Sequence, residues 1–407
     1  MAGACSKELD VRLRKATVKG AVMAYQSSGG TRATRAGSDY FSGFNTVDAA
    51  GNVRPIRFIT DRGDTLDMRI SAVQSLSEKY LLLDGFFEML VNDHQVVYNV
   101  LLVDLNTEYV YGIKGVKDLY EDLPVFSDDY GCWYFVSSGT VVKLNASNPD
   151  NLTVEPCLAE GQQAKKYWVN ANGVIYYEDW DGNSKFKCPG GRTYTFEELL
   201  GVSSASVFCG HSGVFYAAAG NIYKISLQGS NTLQAQVVWE SDLETWNSVY
   251  APYDKVYCPN PKRKEHIAVN NNSNSLYVFN EELNEMRKIE QSESIPFIRE
   301  YCGWESARWT NAFVTSESLF IFDESYKKLY QISLADYSVH MVDMVQAGYE
   351  VGQGTVSCSL DSPGLSFAGL CYADGKNVVG MINEDGTITA NEKTATDTPI
   401  VSLVRLN

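Results

Sequence analysis

The sequence predicts an all-β fold, on three grounds. Aromatic residues make up 12% of the 407-residue chain, with 25 Tyr among them, and such rings suit the pleated, half-buried face of a sheet. Long stretches of Leu, Ala, Glu and Lys are almost absent, whereas Asn–Gly or Asp–Gly turns recur, the dipeptides that turn one strand back on the next. The third ground is a repeat: a short apolar strand, a turn rich in Gly, Asn, Asp or Ser, then a second apolar strand.

Seven segments follow that plan. First strands begin near 79–82, 132–135, 173–176, 213–216, 266–269, 311–314 and 366–369, with partners at 99–102, 140–143, 184–187, 221–224, 275–278, 318–321 and 377–380. The interval of ~40–55 residues is that of four-stranded β-propeller blades. A long sandwich or a β-solenoid also shows many evenly spaced strands, so spacing alone does not separate the three. A parallel α/β protein would need crossover helices. Only 117–123 and Phe196–Leu200 read as helical, and both are too short to cross a sheet.

The chain ends suggest how a ring would close. Residues 44–53 read as a hairpin turn leading into a strand at 56–60, and 399–406 form an extra apolar strand with no partner after it. An open edge strand is a hazard that closure removes. The expectation is seven internal repeats plus one composite closing blade, seven or eight in all. The domain would span 39–407, preceded by a tail and flexible linker over 1–38, where Ser27, Ser28, Gly29, Gly30 and their neighbours have linker composition.

At the start, Gly3 and Ala4 precede Cys5, and Ser6, Lys7 and Glu8 follow it. That junction resembles the site at which bacterial lipoproteins are cleaved and lipidated, although Ala2 stands where a larger aliphatic residue is usual. Tail, linker and propeller together resemble surface-exposed lipoproteins of Gram-negative gut anaerobes, many of them propellers of unknown role. The resemblance implies lipidation of Cys5 and an outer-membrane, cell-surface location, with membrane contact only through that lipid. An unmodified cysteine in a disordered tail is the other reading.

Charge and composition limit the chemistry. With 34 Lys and Arg against 50 Asp and Glu, the net charge of −16 repels phosphate backbones, so no nucleic-acid partner is expected. No apolar run approaches the ~18–20 residues that span a bilayer. The nine cysteines are widely spaced and form no Cys-x-x-Cys pair, which reads mainly as buried thiols rather than disulfides.

Catalytic and metal motifs fail on spacing. The run Gly210-His211-Ser212-Gly213 lacks the glycine that a nucleophile elbow needs, because Val214 occupies that place. It reads as a hairpin turn. Asp179, Asp181 and Asn183 alternate like early calcium ligands, but Gly182 and Gly190 fall at the wrong positions for an EF-hand loop. The histidines, His94, His211, His266 and His340, form no His-x-x-x-His pair; a site assembled from several blades would not be seen this way. No catalytic residue, metal ligand or cofactor is therefore assigned. The basic run Lys262-Arg263-Lys264 reads as a solvated loop tip.

One region stands apart. Arg299, Tyr301, Trp304, Arg308 and Trp309 crowd an expected inter-blade connection, and Trp246 sits in the preceding one. Trp and Arg anchor binding surfaces by stacking and forked hydrogen bonds, while bulky aromatics also pack between blades. These six are the candidate ligand-binding residues. The functional expectation is a non-enzymatic binding or scaffold protein for a glycan, peptide or protein. A glycosidase or polysaccharide lyase with its site in the central channel is the alternative, and the oligomeric state is left open.

Overall fold

The computed structural model describes residues 20–26, 41–48, 50–60, 63, 69–77, 79–91, 94–120, 123–149, 152–241, 255–260, 262–270, 275–290, 312–323 and 325–406. Seven antiparallel four-stranded blades, made of consecutive strands, span 69–112, 126–156, 166–195, 206–239, 255–290, 312–343 and 349–396. The chain is a β-propeller, as its repeat predicts.

In six blades the hairpins legible in the sequence are the second and third strands, the most buried pair. The sixth blade differs, since Ala312–Val314 and Ser318–Phe322 are its first and second strands. First strands of neighbouring blades lie side by side, as between blades 2 and 3, 3 and 4, and 5 and 6. They therefore line the inside of the ring, with the later strands stepping outward.

Closure follows from the two ends. Ile400–Leu406 pairs antiparallel with Gly20–Gln26, which pairs with Phe41–Val47 and through it with Val53–Pro55. This closing sheet puts its C-terminal strand against the first strands of blades 7 and 1. A single pairing, Phe41 with Ile70, also joins it to blade 1. Gly20–Gln26 falls inside 1–38, so the propeller draws on residues that the expected boundary at 39 left in the tail. The run Ala-Val-Met-Ala-Tyr is apolar enough to serve as a strand once two neighbours flank it. The expected strand at 56–60 reduces to one parallel bridge, Ile59 with Tyr109.

Eight apolar clusters fill the seams, each drawn from two adjacent sheets. Leu82, Leu102, Phe135 and Leu144 join blades 1 and 2; Phe186, Phe196, Phe215 and Ile225 join blades 3 and 4. Val47, Ala368, Val379, Ile400 and Leu403 join blade 7 to the closing sheet. Phe44, Phe58, Leu83 and Phe87 join that sheet to blade 1. The core is thus circular: each sheet buries both faces against its neighbours, which is why no blade is amphipathic in the usual one-sided sense.

Tight turns recur with one chemistry. In 48–52, 128–132, 170–174 and 179–183 the first residue is Asp or Asn and the fourth is Gly at positive φ. The glycine N–H donates to the first carbonyl, and the first N–H donates to the carbonyl of the fifth residue. The Asp or Asn side chain accepts from the amides inside the turn. A three-residue hairpin loop ending in a left-handed glycine needs those residue types. The alternation at Asp179, Asp181 and Asn183 is one such turn: Asp179 Oδ1 accepts from the amides of Asp181 and Asn183 at 3.0 and 2.8 Å.

Of the two expected helices, Phe196–Leu200 forms, with Thr195 and Glu198 making a reciprocal cap and Gly201 left-handed at its end. Of the stretch 117–123, the described residues 117–120 are not helical. Their amides are committed elsewhere: Lys117 N–H donates to Ser137 Oγ, Leu119 N–H to Asp84 Oδ2 and Tyr120 N–H to the carbonyl of Val136. Tertiary partners outcompete a short local helix here. Cys132, Cys157, Cys188, Cys209, Cys358 and Cys371 form no disulfide.

Candidate functional site

The six expected ligand-binding residues, Trp246, Arg299, Tyr301, Trp304, Arg308 and Trp309, lie outside the described residues, as does Cys5. The basic run is an exposed turn in which Lys262 pairs with Glu317, and Lys264 with Glu282 at 3.0 Å.

The structure assembles a group that sequence reasoning missed. His211 sits in the turn between the first and second strands of blade 4, and His266 is the second residue of Glu265–Asn270 in blade 5. Glu281 follows Ser275–Asn280 in the same blade. Separations of 70 positions between His211 and Glu281, and of 15 between His266 and Glu281, hide the group from any spacing rule. The one signal in the repeat is coarse, that both histidines flank a first-to-second-strand turn. His211 lies in the turn four residues before the second strand of blade 4 and His266 is the second residue of the second strand of blade 5, so both sit near the turn that joins first to second strand in adjoining blades.

Each side chain is held by identifiable neighbours. The His211 turn contains Ser212 at φ 60 and Gly213 at φ 70. The carbonyl of Gly213 accepts from the side-chain amides of Asn170 and Asn172 in blade 3, at 2.8 and 2.9 Å. A Cβ at Gly213 would come within 2.4 Å of the Asn172 amide, so only glycine lets these two blades approach so closely. Glu281 N–H donates to the carbonyl of Lys264 at 3.1 Å. The His266 ring is wedged beside Phe208, with centroids 4.8 Å apart.

These supports aim three groups at one point. Glu281 Oε1 accepts from the His211 N–H at 2.9 Å, lies 2.9 Å from His211 Nδ1, and also meets His266 Nε2. The second oxygen, Oε2, has the Tyr216 hydroxyl at 3.4 Å. Burial alone would raise the Glu281 pKa, but hydrogen bonds from His266 and His211 outweigh it and hold the carboxyl at about 2. Burial lowers the His266 pKa against the opposing pull of Glu281. Near neutral pH the pair is therefore a carboxylate beside a neutral imidazole. His266 and Glu281 are 2% and 8% exposed and His211 29%, so the group opens to solvent on the His211 side. Two imidazoles and a carboxylate can share protons among themselves or coordinate a cation.

A second surface feature is the hairpin Tyr80–Val91 and His94–Asp104 of blade 1. Its strands outrun their neighbours beyond a bulge between Asp84 and Phe87. Such bulges bend and twist a ribbon. The inner face carries Phe87, Met89 and Tyr98 into the seam with the closing sheet. The outer face presents Phe86, Leu90 and Val97, which are 48, 54 and 50% exposed, around Glu88, whose carboxylate accepts from Gln95 Nε2 at 2.7 Å.

Fold and site together define this protein as a β-propeller that carries, among its described residues, an inter-blade His/His/Glu group and a projecting hairpin. No known family matches the chain, and no curated protein matches it. Solved structures similar to it include AztD of Citrobacter koseri, 10% identical over 94% of this chain and 96% of that one, with a TM-score of 0.49. Virginiamycin B lyase of Staphylococcus aureus is 12% identical over 66% of this chain and 82% of its own, TM-score 0.39. The extracellular domain of the one-component system BT4673 of B. thetaiotaomicron is 10% identical over 88% of this chain and 53% of that chain, TM-score 0.41. At such identities the activities of those proteins do not carry over. Among the described residues no helix is long and apolar enough to cross a membrane.

Proposed function

We propose that this chain is a non-enzymatic binding or scaffold protein displayed at a bacterial cell surface, with a protein as its ligand. The observation that carries this reading is the outer face of the blade 1 hairpin. Phe86, Leu90 and Val97 stand on one side of a projecting ribbon while its opposite side is fully used in packing. Clustered exposed apolar side chains with a polar surround are what protein-binding surfaces offer. The segment with Arg299, Tyr301, Trp304, Arg308 and Trp309, together with Trp246, supplies the second contact surface in this reading. Lipidation of Cys5 provides the tether, which fatty-acid labelling of Cys5 in cells carrying the upstream sequence would detect.

Two variants test the assignment on protein and glycan arrays. Phe86→Ser with Leu90→Ser removes the apolar face without touching the seam, and Trp304→Ala with Arg308→Ala removes the aromatic anchors. Each pair is expected to weaken capture of a protein ligand by about tenfold or more, the size of a typical anchor residue loss. Unchanged binding in both pairs, or turnover of polysaccharides by the parent chain, would overturn the reading.

A further inference from the structure

We infer that His211, His266 and Glu281 form a binding site for one divalent transition metal of the zinc class, clamped between blades 4 and 5 with one coordination position open to solvent. Neither the hairpin nor the Trp/Arg segment is needed for this inference.

Donor chemistry selects the metal. Two imidazole nitrogens and one carboxylate oxygen form one of the three-ligand sets that zinc accepts when its fourth position is left to water or a ligand. Calcium and magnesium call for six or more oxygen donors, whereas imidazole suits zinc, copper, nickel and iron. Cysteine, the other common zinc ligand, is not among the three.

Geometry permits the ion. The candidate donor atoms all lie within 4.8 Å of one another, and a tetrahedral zinc with bonds of ~2.0–2.1 Å holds its donors ~3.3 Å apart. Both ring nitrogens already face the same carboxylate oxygen. An ion among them replaces the shared protons, because each imidazole would then present a lone pair instead of an N–H. The balance is simple: a neutral imidazole keeps its single N–H by moving it to the other ring nitrogen, the metal takes the lone pair this exposes, and no redox step is involved.

The surroundings are those of a built site. Ligating side chains work when their own positions are fixed by a supporting layer. Here Asn170 and Asn172 pin the His211 turn, the Lys264 carbonyl pins Glu281, and Tyr216 holds the free carboxylate oxygen. Because the ligands come from two blades, an ion would also tie those blades together.

The test uses the full chain stripped of metal with a chelator and dialysed against zinc chloride, with bound metal counted by mass spectrometry. One zinc per chain is expected, retained in excess calcium and magnesium. Partly exposed His211 is the position most tolerant of change. His211→Ala and Glu281→Gln, each checked for native circular dichroism, should lose more than about 100-fold in affinity, and Tyr216→Phe about tenfold. Cobalt substitution reads the ligands directly: its spectrum should lack a thiolate charge-transfer band. Absence of zinc uptake, uptake unchanged in folded His211→Ala, or a thiolate band assigning the metal to cysteines would each overturn the inference.

Discussion

Deleting residues 398–407 is expected to lower stability by on the order of 5 kcal/mol, a large part of what a domain ordinarily possesses. The strand Ile400–Leu406 is the inner strand of the closing sheet. It pairs with Gly20–Gln26 along its length. Ile400 and Leu403 enter the seam with blade 7, and Val401 and Val404 pack on the seam with blade 1. Removing it opens two of the eight seams at once and strips a partner from Gly20–Gln26, whose remaining neighbour cannot replace it. Thermal unfolding followed by circular dichroism measures the loss. A synthetic peptide of residues 398–407 added in trans should restore part of it in a concentration-dependent way. A truncated chain that melts with the parent would show that the ring does not depend on this strand.

Asp128→Ala is expected to cost about 3 kcal/mol or more, because one buried carboxylate satisfies several donors. Its Oδ1 accepts from the amides of Tyr130 and Cys132 at 3.0 and 2.9 Å, and its Oδ2 accepts from the Tyr134 hydroxyl at 2.9 Å. The Lys143 ammonium at 3.9 Å is one-third exposed, so that ion pair adds little. Alanine leaves a turn without its cap and a buried phenol without its acceptor. Asp128→Asn keeps an acceptor oxygen for the two amides and should lose only about 1 kcal/mol. Urea denaturation of the two variants separates the cases. Equal losses would mean that the charge, not the hydrogen bonds, carries the effect.

What was legible in the sequence follows from where the apolar residues lie. Middle strands such as Cys132–Ser137 and Thr140–Asn145 are buried by both neighbours and read as apolar runs. First strands do not advertise themselves: Phe126–Ser127 has only two residues, and Lys255–Asn260 carries Lys, Pro and Asn. Turns were legible because a left-handed fourth position demands glycine. The Asp-Ala-Ala-Gly-Asn run at 48–52 thus marked the N-terminal hairpin correctly. Gly20–Gln26 was missed because Val22 is its only β-branched residue and linker composition follows it. The His211, His266 and Glu281 group was hidden for a different reason. Sequence motifs report ligands on one element, and here two blades and two turns contribute.

Ring closure through the two chain ends is the claim on which the rest depends, since it fixes the order of the seams and the neighbours of every blade. In the register of the closing sheet Val22 lies opposite Val404. Residues directly opposite in antiparallel strands have Cα atoms about 4.5–5.5 Å apart, within the range a disulfide spans. A chain carrying Val22→Cys and Val404→Cys, oxidised under native conditions and digested, should yield the 22–404 crosslinked peptide in high proportion by mass spectrometry. Failure of that crosslink to form in folded protein, with both thiols free, would contradict the closure and with it the fold described.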